Sequence, residues 1–170
     1  SGHLDGMMRI RPLYQLKMLK KNRIGIKAAD FTFILSTGEF QKLWDVSAKY
    51  TLLLFYDPDC IYCRQSMMEL SESSVINSFL QHSGLSLSQL ALVTICTEGE
   101  MDAWKEYRQS LPSVWINGYD VRKVLTEKEL YFLRSLPSIY LLGEDKQVLL
   151  KEPSSIGEVT GYLLNKYDDI

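Results

Sequence analysis

A chain of 170 residues, 46% hydrophobic and 24% charged, is long enough for one domain with a proper core and too short for two comfortable ones. A formal charge of −2 with no basic stripe sets nucleic-acid binding aside, and no apolar run reaches the length of a membrane span. Three cysteines are too few for a disulfide-stapled mini-protein.

The opening "SGHLDGMM" reads as a cloning scar followed by native residues, so a signal or anchor is expected to lie outside this sequence. Residues 7–21, "MMRIRPLYQLKMLKK", form a short helix interrupted at Pro12 or an extended arm. Residues 1–24 are thus set apart from one domain over 25–170. "FTFIL" predicts a strand and "STGEF" a tight turn into a second, an N-terminal hairpin. "QKLWDVSA" supplies one or two helical turns. "YTLLLFYD" is a continuous apolar run, as expected of a strand buried on both faces.

From Cys63 onward, Met67, Leu70, Val75, Ile76 and Phe79 recur at helical spacing, and one helix is expected. "QLALVTICT" is a second buried strand, and "EGEMDAWKEYRQSL" a helix stopped by Pro112. "VRKVLTEKELYFLRS" is helical or mixed. "SIYLLGEDKQVLLKE" predicts two strands joined at "GEDK", and "SSIGEVTGYLLNKY" a closing helix capped by Ser154 or Ser155. Strands alternating with helices imply an α/β fold, a central mixed sheet with parallel pairs and helices on both faces.

"FYDPDCIYCRQSM" carries the chemistry. Cys60 falls where a buried strand ends and a helix begins. The unpaired N–H groups and partial positive charge of a helix start stabilise a thiolate. Cys63 lies one turn along, within bonding reach. Cys60 is therefore the expected nucleophile toward a disulfide, and Cys63 the resolving thiol that attacks the mixed disulfide. A structural zinc site would need two more ligands from Cys96, His3 and His82, and no second CxxC or HxxxH exists, so neither metal nor other cofactor is expected.

In this order of elements, followed by "SLPSIYLL", the chain resembles the thioredoxin-like superfamily, and more closely the TlpA/ResA-like thiol–disulfide oxidoreductases of bacterial cell envelopes. "GIKAADFTF" is similar to their opening G-x-x-A-P-D-F pattern, with Ala29 where proline is usual. "SLPSIYLLGEDKQVL" is similar to their G-x-P-x-x-x-L-I-D-x-x-G-x-I stretch, and "DPDCxxC" resembles domains of Bacteroidetes-type envelope proteins. The resemblance implies that Pro137 is cis and faces the cysteines, with the backbone at Leu136 pairing with an extended substrate peptide. Ile61, Tyr62 and Pro58 would complete the substrate contact. It also implies a periplasmic or envelope location, partners that are disulfide-bearing proteins plus an upstream dithiol donor, membrane contact only through an N-terminal anchor outside this sequence, and a monomer.

The chain departs from the family pattern at several positions. Asp59 replaces the usual tryptophan before the first cysteine, and Asp57 is nearby. Both carboxylates oppose the Cys60 thiolate by like-charge repulsion, which favours a reductase over a strong oxidant, as does a spacer of Ile61 and Tyr62 with no histidine. Leu54 and Ser66 occupy the two places where the family keeps an acid for the resolving thiol. Glu69 is six residues from Cys63 and faces elsewhere, so no general base is legible. Cys96 reads as a small buried hydrophobe. Trp104, Tyr107, Trp115 and Tyr119 read as core and rim. Tyr56 and Tyr62 flank the cysteines as an apolar surface, and His82 is a helix-end surface residue. The reading is a Cys60–Cys63 dithiol enzyme. The alternatives are a non-catalytic binding module of a larger envelope protein, and a thiol peroxidase, against which Asp57 speaks because that chemistry needs threonine there.

Overall fold

The computed structural model describes residues 12–80 and 88–168; His3 and His82 lie outside them. In chain order the elements are α1 (12–19), β1 (Thr32–Leu35), β2 (Phe40–Lys42), a 3-10 turn at Leu43–Asp45, β3 (Ala48–Tyr56), α2 (Ile61–Glu72), α3 (Ser74–Leu80), β4 (Ser88–Cys96), α4 (Met101–Arg108), β5 (Ile116–Tyr119), α5 (Val124–Glu127), β6 (Ser138–Leu142), β7 (Val148–Lys151) and α6 (Ile156–Asp168). The strands form one mixed sheet in the order β2-β1-β5-β4-β3-β6-β7. β3, β4 and β5 run parallel, and β6, β7 and the β1–β2 hairpin are joined on antiparallel.

β3 is central because its apolar run has no polar face to show to water. Alternation by two sends Leu52, Leu54 and Tyr56 to one side and Leu53 and Phe55 to the other. The first side packs against Met67 and Leu70 of α2, Ile76 of α3, Trp104 of α4, and Val159 and Leu163 of α6. The second meets Phe31, Phe33, Leu125 of α5, Tyr131 and Tyr140. Each fully buried leucine or phenylalanine here contributes about 1.5–3 kcal/mol by removal from water. Helices thus cover both faces, and an extra N-terminal hairpin extends one edge.

The lead-in is helical over the described residues 12–19, Pro12 included. Met18 is buried, and Lys151 Nζ donates to the carbonyls of Leu19 and Lys21 at 2.9 and 2.7 Å. Asn22 Nδ2 donates to Leu130 O and its Oδ1 accepts the Ala29 N–H, both at 2.8 Å. These bonds fasten the chain before the first strand to Leu130, ahead of β6, and to Lys151 at the end of β7.

Three expectations are corrected. The helix after Cys63 is two helices, because Ser73 leaves the helical conformation (φ −70°, ψ 118°) and its hydroxyl accepts the Ile76 N–H at 3.2 Å to start the next. β5 was not foreseen: "INGY" is short, and its Asn and Gly argue against a strand. It forms because β4 and β1 pair with it on either side, while Thr94 Oγ1 donates to Asn117 Oδ1 at 2.6 Å. Gly118 is required there, since a Cβ would run into the Phe33 ring. Finally, Tyr56 is not at the surface. Its place on the Leu52–Leu54 face buries it completely against Tyr107, ring centroids 5.6 Å apart. The closing helix is capped by Ser155, whose hydroxyl accepts the Glu158 N–H at 3.2 Å, while Glu158 accepts from the Ser154 N–H at 2.8 Å.

Candidate functional site

β3 ends at Tyr56, and the next residues form a turn that places one sulfur at a helix start. The Asp59 N–H donates to Asp57 Oδ1 at 2.9 Å, and the Cys60 N–H donates to Asp57 O at 3.1 Å. Cys60 is therefore the N-cap of α2, in extended conformation (φ −84°, ψ 117°). Its sulfur accepts the Cys63 N–H at 3.2 Å, the place a serine or aspartate oxygen usually takes. A charged sulfur is a stronger acceptor for that N–H than a neutral one. On its other side the Cys60 thiol faces Leu136 O at 3.7 Å. The Leu136–Pro137 peptide bond is cis.

All three cysteines are free thiols, and they differ in access. Cys60 is half-buried, whereas Cys63 and Cys96 are fully buried. Burial pushes the Cys63 thiol up to about 12, helped by its hydrogen bond to Cys60 and by the charges of Cys60 and Asp57; a backbone hydrogen bond from Asp57 works the other way. Burial likewise pushes Cys96 up to about 12, reinforced by the Asp57 charge and opposed by a Glu98 backbone hydrogen bond and Lys123.

A thiol whose folded value lies above its ordinary 9.0 holds its proton in the native state after the unfolded chain has lost it. Cys96 therefore adds stability that is fully present below pH 9.0 and is lost as pH rises toward about 12. In urea unfolding of the reduced protein, the stability advantage of wild type over Cys96→Ala should shrink steadily across that window. An advantage that stays flat would contradict the assignment.

The remaining predicted site residues divide by exposure. Ile61 and Tyr62 are 63% and 69% exposed beside Cys60, with exposed Met68 about two turns further along α2. Leu136 is half-buried. Pro58 is buried, because Arg64 folds back over it: the Arg64 Nε donates to Pro58 O, and its guanidinium lies 4.7 Å from the Tyr107 ring centroid. Asp59 is exposed and Asp57 half-buried. Arg64 went unread in the sequence. Its one available signal was a cation four residues past the helix cap, able to reach back across the first turn. Beside Pro137 runs a groove lined by Ser66, Glu69, Ser135, Glu152 and Ser155. Among the described residues no group of His, Cys, Asp and Glu could hold a metal ion, and no helix is long and apolar enough to cross a membrane. Trp104, Trp115 and Tyr119 are core residues, with Trp104 stacked on Tyr119 at 5.4 Å.

No protein-family model matches the chain, and no curated protein matches it. Solved structures do. A thioredoxin-like protein from Bacteroides caccae is 32% identical with a TM-score of 0.86, over 94% of this chain and 56% of that one. The chain thus spans little more than half of that relative's length. The C-terminal domain of an uncharacterized protein from Bacteroides fragilis is 38% identical with a TM-score of 0.78, over 84% of this chain and 98% of that domain. The thioredoxin domain of a thiol-disulfide oxidoreductase from Bacteroides vulgatus, at 23% identity and a TM-score of 0.67, shares the fold over 85% of this chain and 97% of its own. With the strand–CxxC–helix geometry and the mixed seven-stranded sheet, these likenesses show that the chain belongs to the thioredoxin-like superfamily, as a TlpA-like domain.

Proposed function

We propose that the domain is a dithiol–disulfide oxidoreductase that reduces protein disulfides in the cell envelope. The observation that carries this reading is the half-exposed Cys60 sulfur at the start of α2, held by the Cys63 N–H on one side and facing Leu136 O on the other. The Cys60 thiolate attacks one sulfur of a substrate disulfide, and the other leaves as a thiolate that takes up a proton. Cys63 then attacks Cys60, giving the Cys60–Cys63 disulfide and releasing the second substrate sulfur. An upstream dithiol donor returns the two electrons. An extended substrate peptide would add along the Leu136 backbone, with Ile61 and Tyr62 giving it apolar contact.

The reducing direction is supported by what surrounds Cys60: two aspartates in its turn, and a spacer with no histidine to hold an oxidising thiolate. In an insulin turbidity assay, the protein should bring on precipitation well before dithiothreitol alone. A rate equal to dithiothreitol alone would overturn the reading in favour of a binding module. Equilibration with glutathione should give a strongly negative potential, and a value near that of known oxidants would reverse the direction.

A further inference from the structure

The formal charge of −2 conceals an uneven distribution. Residues 6–29 hold seven of the 19 Lys and Arg residues and no Asp or Glu, which leaves 12 basic against 21 acidic residues elsewhere. Apolar side chains are interleaved with these cations: Leu13, Leu16, Leu19 and Ile24 are each more than half exposed. The fold holds them outward. At about 3.6 residues per turn, Leu13 and Leu16 lie on the side of α1 opposite Met18, which is buried. The helix cannot roll to hide them, because Lys151 Nζ holds the carbonyls of Leu19 and Lys21, and Lys17 Nζ pairs with Glu129 Oε2 at 3.0 Å. Lys20 and Arg23 are exposed and have no acidic partner among the described residues.

We propose that this segment lays the domain on an anionic lipid surface, with Leu13 and Leu16 entering the boundary between headgroups and acyl chains and with Lys20 and Arg23 against the headgroup phosphates. The inference stands apart from the reductase reading. α1 is about 12 Å long, far short of a bilayer core about 30 Å thick, so it lies in the plane of the surface. Leucines gain by leaving water, and each cation close to an anionic surface adds its own attraction. The combination selects the occupant. A nucleic-acid backbone would take the cations but has no apolar layer to receive the leucines. A second copy pairing through the same face would receive the leucines but set two runs of positive charge against each other. The remainder of the chain carries a formal −9, so an anionic surface repels the body of the domain while it attracts this face, and the field orients the approach.

The test is co-sedimentation of the 170-residue chain with two kinds of vesicle, pure phosphatidylcholine and phosphatidylcholine mixed with phosphatidylglycerol. The protein should bind the anionic vesicles at least about tenfold more tightly than the neutral ones, and that binding should fall steeply between about 50 and 300 mM salt. Two double variants separate the contributions. Lys20→Glu with Arg23→Glu should weaken binding to the anionic vesicles by at least about 30-fold, and Leu13→Glu with Leu16→Glu by at least about tenfold. All four side chains are exposed, so both variants should melt within a few degrees of wild type, about the spread of surface substitutions. No binding to anionic vesicles, or equal binding to both kinds, overturns the proposal. So does a leucine variant that binds as wild type does, which would mark a bare ionic attraction such as nucleic acid would also exert. A lipid-free dimer in analytical ultracentrifugation that the leucine variant splits into monomers overturns it in favour of a second copy on this face.

Discussion

Cys60→Ser should abolish disulfide reduction, lowering turnover by at least about 1000-fold, while Cys63→Ser should stop the reaction halfway with substrate bound to Cys60. The two variants fail differently because the sulfurs differ in access: Cys60 can meet a substrate disulfide, whereas Cys63 is fully buried and can meet only Cys60. Neither change should unfold the domain. Serine is a better helix cap than cysteine, so Oγ at position 60 still accepts the Cys63 N–H and α2 still starts there. The check is twofold. Insulin turbidity measures turnover, and intact mass after acid quench shows whether the Cys63→Ser protein carries one substrate adduct. Near wild-type turnover in Cys63→Ser would mean that a second external thiol, rather than Cys63, releases the product.

Phe55→Ala should cost about 3–5 kcal/mol, a large share of the roughly 5–15 kcal/mol that stabilises a domain. Phe55 is fully buried on β3, with Phe31 at 5.8 Å, Tyr131 at 4.8 Å and Tyr140 at 6.3 Å between ring centroids. The surrounding rings are not free to close the gap. Tyr131 is held by its hydroxyl, which donates to Ala29 O at 2.7 Å, and Tyr140 by strand pairing on both sides. A cavity that cannot collapse is the costly kind. The melting temperature should fall by roughly 6–20 °C. Ile61→Ala, on the exposed rim, should shift stability by less than about 0.5 kcal/mol. Equal effects of the two substitutions would show that the aromatic cluster does not carry the second face.

The parts of this architecture that could be read in advance were those whose local pattern has one solution. "YTLLLFY" has no polar face, so it must be a strand buried on both sides, and a cysteine immediately after it at a helix start has a defined chemical use. β5 was not readable, because nothing in "INGY" favours a strand; its conformation is imposed by β1 and β4, which are remote in sequence. The break at Ser73 was hidden by a hydrophobic spacing that continues across it. At the site, the sequence placed Asp57 near Cys60 and treated it as a repelling charge. That its side chain accepts the Asp59 N–H and its carbonyl the Cys60 N–H, building the turn that delivers Cys60 to the helix start, is something spacing alone does not reveal. Tyr56 illustrates the cost of ignoring parity: adjacent to the cysteines in sequence, it belongs by alternation to the core.

The pairing of β3 also governs how the domain can be made. Its neighbours are β4 and β6, and the segment leading into β6 sets Leu136 O opposite Cys60, yet β6 lies near the far end of the chain. A nascent polypeptide emerging from the ribosome would expose an apolar, half-paired β3 until residues 138–142 arrive. During that interval Cys60 is an accessible thiol without its opposite wall, open to pairing with the wrong partner. Synthesis of this domain thus has a vulnerable stage, and any truncation before β6 should leave an aggregating chain instead of a smaller working one.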